Sequence, residues 1–166
     1  MNKKYVLTAL GFVVALIVII LAVVGITRDD NKKDPAPVVS DEASLQAQEG
    51  NYTLKITRVL EVAPDPKEEN PPKAETVAIV VYEYTNDDIS HGLVIGNSHF
   101  KAYDSRGKEL RQYPQNNLFE PSEVGTSGTF TASVAFALNN ENDYLKIEYY
   151  EDISAKTPDV VFEQEW

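Results

Sequence analysis

Between Tyr5 and Thr27 the chain carries no charged residue, and most positions are Val, Ile, Leu, Ala or Phe. As a helix rising about 1.5 Å per residue, this run covers about 35 Å, enough to cross a hydrocarbon core of about 30 Å. Its β-branched stretches, Val13-Val14 and Ile17-Val18-Ile19-Ile20, would favour a strand in water. Within lipid, however, only a helix pairs every backbone group inside a single segment. A transmembrane helix is therefore expected. A cleaved secretory signal has an apolar region of about 7–15 residues followed by an A-x-A-like site. Here the run is longer, and Val23 and Gly25 form a poor site, so the expectation is an uncleaved signal anchor.

From Arg28 to Gly50 the pattern has no period and collects Asp, Lys, Pro, Ser, Gln and Glu around Pro35-Ala36-Pro37. This composition predicts a flexible polar tether over 28–50, with a random-coil reach of about 25 Å. Within it, Ser40 could cap a short helix over Asp41–Gln48, although that stretch lacks an apolar stripe.

After Gly50 the period becomes two. Tyr52, Leu54 and Ile56 alternate with polar residues up to Leu60, which predicts a strand with one buried face. A charged, proline-rich loop follows from Ala63 to Pro72. In Val77–Tyr84, Val80, Tyr82 and Tyr84 lie on one face and Val77, Ile79 and Val81 on the other. Apolar residues on both faces predict a central strand. Ser98–Asp104 and Lys108–Tyr113 form a predicted hairpin in which Gly107 supplies the left-handed residue of the turn. Thr129–Leu138, Leu145–Tyr149 and Val160–Phe162 complete the set. Seven strands between polar turns, without a helical period, predict an all-β antiparallel sandwich over 51–166.

Charge divides the chain at the same boundary. The totals are 15 Lys/Arg and 26 Asp/Glu, a formal net charge of −11. Residues 1–34 hold five basic and three acidic side chains, so the remainder holds ten and 23 and carries −13. Such acidity excludes nucleic acid as the expected partner and would steer a basic protein toward the projecting domain. Lys3 and Lys4 precede the apolar run, while Arg28, Lys32 and Lys33 follow it, so the positive-inside count is nearly balanced. A lone anchor with a four-residue lead normally sends the bulk of the chain outward. Residues 1–4 are thus expected in the cytoplasm and the C-terminal domain outside the cell membrane.

The chain has no cysteine, which removes disulfides, thiolate metal sites and a lipidated N-terminal cysteine. His91 and His99, eight residues apart without a third ligand in register, do not make a metal site. No serine nucleophile motif occurs, and Gly125-Thr126-Ser127-Gly128 precedes a strand rather than a helix, as a strand-entry turn would. Asp87-Asp88 and Glu151-Asp152 read as solvated turn carboxylates. A calcium site at Asn86–Asp88 or Asn139–Asp143 would lack the EF-hand spacing. Asn51-Tyr52-Thr53 is a formal glycosylation sequon.

The order of Val77–Asn86, then Asp104-x-x-Gly107-Lys108-Glu109-Leu110, then a glycine-led Thr/Val/Phe strand within Pro121–Leu138, resembles uncharacterised surface domains of Gram-positive bacteria. These domains belong to the telokin-like, immunoglobulin-like class. The resemblance implies an immunoglobulin-like sandwich on a membrane-anchored or lipidated protein and brings no active site. The missing cysteine departs from the lipidated relatives and leaves anchorage to Tyr5–Thr27.

The resulting expectation is a non-enzymatic, single-pass surface protein without a cofactor, whose sandwich binds a protein or envelope component. Tyr103, Tyr113 and Tyr150 are the expected partner contacts, as tyrosines on edge strands. The alternatives are a small-ligand or cation sensor and an envelope hydrolase with an unrecognised site.

Overall fold

The computed structural model describes residues 38–39, 42–47, 49–65, 67, 71–114, 118–139 and 144–165. The anchor predicted over Tyr5–Thr27 and the first part of the predicted tether lie outside these residues. Among the described residues no helix is long and apolar enough to cross a membrane.

Among the described residues nine strands form two packed sheets. They are β1 (Val38–Val39), β2 (Glu42–Ala47), β3 (Gly50–Val62), β4 (Thr76–Asn86), β5 (Phe100–Tyr103), β6 (Glu109–Leu110), β7 (Thr129–Leu138), β8 (Tyr144–Tyr149) and β9 (Val160–Glu165). One sheet has the order β1-β9-β8-β5-β6 and the other β2-β3-β4-β7. All pairings are antiparallel except that β1 runs parallel to β9. The seven expected strands are all present. The two additional strands correct the N-terminal boundary of the sandwich: the region expected as tether enters both sheets from Val38 onward, and the short helix allowed over Asp41–Gln48 is instead β2. Glu42, Ser44 and Gln46 alternate with Ala43, Leu45 and Ala47, and six register pairs with Gly50–Lys55 fix that alternation as a strand. Two predicted strands are shorter than expected. Asn97–His99 is a 3-10 turn leading into β5, and β6 stops at Leu110.

β4 is central, between β3 and β7, and buries both faces. Its Ala78, Val80, Tyr82 and Tyr84 enter the core between the sheets, against Tyr52, Leu54, Phe100, Phe136, Ile147 and Phe162. Full burial of such side chains contributes about 1.5–3 kcal/mol each before entropy is counted. Their hydroxyls find partners inside: Tyr82 donates to Ile95 O at 2.8 Å, Tyr84 donates to Ser122 O, and the Tyr52 and Tyr149 hydroxyls meet at 2.9 Å. Val77, Ile79 and Val81 point the other way, into a second cluster with Tyr113, Ala135 and Ala137.

That second cluster is covered by the segment after β6. Tyr113 N donates to Ala135 O and Ala137 N to Arg111 O, both at 2.8 Å, which joins the edge of β7 to the chain leaving β6. The β5–β6 hairpin is as expected: Gly107 has φ 75°, and its N–H donates to Asp104 O at 2.8 Å. Gly125 to Gly128 is a turn entering β7, closed by Gly128 N donating to Gly125 O at 2.9 Å.

Candidate functional site

The outer face of the five-stranded sheet gathers a set of polar and aromatic side chains in mutual contact. Alternation along β5 turns Phe100 and Ala102 inward, which leaves Lys101 and Tyr103 outward. On β8, Leu145, Ile147 and Tyr149 point inward, so Lys146 and Glu148 share the outer face. The register places Lys101 opposite Glu148 and Tyr103 opposite Lys146. Glu109 of β6 continues the Tyr103 row on one side, and Glu163 of β9 continues the Lys146 row on the other.

Glu148 anchors the group and is only 8% exposed. It accepts hydrogen bonds from Lys146 Nζ at 2.8 Å and from the Tyr150 hydroxyl at 2.6 Å. Burial alone would raise its pKa, but the hydrogen bonds from Lys146 and Tyr150, with the Lys146 charge and a bond from Tyr103, hold it below the ordinary carboxylate range. Burial, then the Glu148 charge, pushes the Tyr103 phenol up to about 12. Burial and the bond to Glu148 push Tyr150 up further. At neutral pH Glu148 is therefore a carboxylate, and Tyr103 and Tyr150 are neutral phenols. Lys146 Nζ sits 4.4 Å from the Tyr103 ring centroid and Lys101 Nζ 4.6 Å from that of Tyr150. These cation–π contacts fix the rings and set two cations beside them. Chemically, the arrangement suits recognition: oriented aromatic surface, ammonium donors and an acidic rim.

The structure brings together two of the three tyrosines expected to contact a partner and corrects their setting. Tyr103 is half-buried on β5, which lies between β8 and β6 rather than at an edge. Tyr150 is buried, with its hydroxyl turned to Glu148. Tyr113, in the segment after β6, packs on the opposite sheet, where it is buried in the second apolar cluster. Its backbone joins β7 and its ring covers Val77, Ile79 and Val81, so it is not an exposed contact. Lys101, Lys146 and Glu148 were not singled out from the sequence. Their signal is the period-two spacing with Tyr103 and Tyr150, which acquires meaning only once the strands pair.

The remaining candidates have local roles. His91 Nδ1 lies 2.7 Å from Glu49, whereas His99 Nδ1 meets Tyr150 O at 2.7 Å and its ring stacks on Tyr149. The Asp88 carboxylate accepts from both the backbone and the side chain of Asn51, and Asp87 accepts from the Thr53 hydroxyl. The Asn51 side-chain nitrogen, the atom a glycan would use, is thus engaged in a turn contact. Asp152 accepts from Ser154, and Asp159 from Glu151 N. Among the described residues no group of three or more His, Asp or Glu side chains is placed to hold a metal ion.

No family model matches the chain, and no curated protein matches it. Solved structures share its fold. The candidate lipoprotein ycdA of Bacillus subtilis superposes with a TM-score of 0.59 at 15% identity over 77% of this chain. That match spans only 39% of ycdA, well under two thirds of its length. The secreted protein MPT63 of Mycobacterium tuberculosis gives a TM-score of 0.58 at 11% identity, covering 80% of this chain and all of that one. At such identities the likeness concerns the fold, a bacterial β-sandwich.

Proposed function

We propose that the chain is a membrane-anchored extracytoplasmic protein whose immunoglobulin-like, telokin-like sandwich binds another protein or an envelope component without catalysing a reaction. The observation that carries this reading is the outer face of the β5–β8 pair, where Lys101, Tyr103, Lys146 and Glu148 are held in a fixed array. Fixed aromatic side chains lose little conformational entropy on binding, and tyrosine is enriched at interface centres. The uncharged Tyr5–Thr27 run supports anchorage. The descriptions of the two fold neighbours, one a candidate lipoprotein and one a secreted protein, support an outward location. The −13 carried beyond residue 34 favours a partner with a basic surface.

Photo-crosslinking from intact cells tests the reading. A crosslinker at Lys101 or Tyr103 should capture a discrete adduct that a crosslinker at the exposed Thr131, on the other sheet, does not. The double variant Lys101→Glu/Tyr103→Ser should reduce recovery of that adduct, captured from Lys146, at least tenfold. Capture that is equal from both sheets, or unchanged in the double variant, would remove this face as the binding surface.

A further inference from the structure

The chain enters the five-stranded sheet at one of its two ends. β1 runs parallel to β9 with Val38 beside Val160, so both strands start there. β8 finishes at the same end, with Tyr149 opposite Val160, and β5 begins there, with Phe100 opposite Tyr149. In the sequence, only the ten residues Arg28–Pro37 separate Val38 from the uncharged run that ends at Thr27. Ten residues span at most about 35 Å even when fully extended. With Tyr5–Thr27 in a bilayer, the start of β1 is held within that distance of the surface.

The same end shows apolar side chains to water. The connection from β8 to β9 is a closed loop over Glu151–Asp159. At its base Asp159 N donates to Tyr149 O at 2.9 Å, and Glu151 N donates to the Asp159 carboxylate at 2.8 Å. Toward its tip Ala155 N donates to Asp152 O at 2.9 Å, while the Asp152 carboxylate accepts from Ser154 N at 2.9 Å and Ser154 Oγ at 2.6 Å. These bonds hold out Ile153, which is 58% exposed, the highest exposure of any large apolar side chain among the described residues. Val94, in the segment that leads into β5 at this end, is 48% exposed. A turn already fixed by its own hydrogen bonds loses little entropy when its tip is buried elsewhere.

We infer that Glu151–Asp159 is a second membrane contact, with Ile153 seated at the boundary between lipid headgroups and acyl chains; the inference rests on the anchorage proposed above. At that boundary an apolar side chain leaves water without crossing the bilayer. The loop carries Glu151, Asp152 and Asp159 against Lys156, so apolar burial holds it there rather than attraction to anionic lipid. The short connection to the anchor keeps the loop at high effective concentration beside the surface, so a contact too weak to hold a free domain is populated. Docked in this way, the five-stranded sheet stands with its strands rising from the membrane. The Asp104–Gly107 turn then points away, and the Tyr103 face stays open to the side.

The chain has no cysteine, so a single introduced one carries a fluorophore without interference. The full chain is placed in phosphatidylcholine vesicles with an environment-sensitive label at Lys156→Cys, beside Ile153. Lipids bearing a nitroxide near the headgroup end of the acyl chain should quench this label at least fivefold more than one at Lys108→Cys, an exposed position at the opposite end. Adding Ile153→Asp to Lys156→Cys should reduce the quenching at least fivefold, and because Ile153 is exposed the variant should keep the wild-type near-ultraviolet circular dichroism. Equal quenching at 156 and 108, or quenching that Ile153→Asp leaves unchanged, would overturn the inference. Alkaline carbonate extraction separates this outcome from a failure of the anchor. A chain that stays with the vesicles while position 156 is not quenched overturns the second contact alone, whereas a chain released by carbonate overturns anchorage and the contact with it.

Discussion

The Tyr52–Tyr149 contact allows a test in which removing two groups harms the protein less than removing either. Both residues are buried, at 1% and 2% exposure, and their hydroxyls lie 2.9 Å apart with the rings edge to face. Burial holds both phenols far above the range in which they ionise, so two neutral hydroxyls share one hydrogen bond in the core. Tyr52→Phe keeps the ring and its packing but strands the Tyr149 hydroxyl, and Tyr149→Phe does the reverse. A buried hydroxyl left without a partner costs about 1–3 kcal/mol, whereas replacing both members by apolar groups of the same shape is nearly neutral. With a urea dependence of about 2 kcal/mol per molar, each single variant should lower the unfolding midpoint by about 0.5–1.5 M. The double variant should recover most of that loss. Urea titration of the full chain in mild detergent, followed by near-ultraviolet circular dichroism, measures all four corners of the cycle. A double variant whose loss equals the sum of the two single losses would refute the reasoning, because it would show that the hydroxyls act independently.

Glu148 supplies a pH signature. Its folded pKa lies below the ordinary value of 4.5, so its contribution to stability is complete above that value and is lost as pH falls through the folded pKa. Glu148→Gln should cost about 1–2 kcal/mol at pH 7, toward the lower end for charged hydrogen bonds because Lys146 is partly solvated. The gap from wild type should shrink below pH 4.5; thermal melts that stay parallel across that range would contradict it. Asn86 is fully buried, with Nδ2 donating to Ile89 O at 2.9 Å and Val124 O at 3.1 Å, while Oδ1 accepts from Ile89 N at 2.8 Å. Asn86→Ala should destabilise by about 2–3 kcal/mol and deprotect the Ile89 amide to hydrogen exchange; unchanged exchange there would show that the turn holds without the side chain.

Residues whose environment is set by their own strand are the ones the sequence makes legible. Apolar side chains on both faces of Val77–Tyr84 require layers on both sides, and β4 is indeed central. Asp104 to Gly107 encodes its own turn, because the Asp104 carboxylate accepts the Arg106 and Lys108 amides while Gly107 takes the positive φ. β2 was obscured by composition. Alanine, glutamine and glutamate favour helices, but six pairings with β3 override that preference, and pairing between strands is a non-local fact. The bulge at Thr57 is equally silent in the sequence, although it alone turns Leu60 from the core side to the outer face.

The Tyr103 face shows the same division at the level of a site. Each strand announces that it has an outward row, Lys101 with Tyr103 on one and Lys146 with Glu148 on the other. Neither states that the two rows meet. A shift of two residues would keep every apolar side chain inward and set Tyr103 opposite Glu148 instead of Lys146, so inward packing does not choose between them. The choice must come from features that a two-residue shift would break: the Phe100–Tyr149 contact beneath the face, with ring centroids 5.5 Å apart, and the bond from Tyr150 N to His99 O at 2.9 Å beyond the strand end. The core ring pair and that terminal bond therefore position the outer array. A substitution at Phe100, whose ring lies in the core beneath the face, should therefore loosen the Lys146–Tyr103 contact above it.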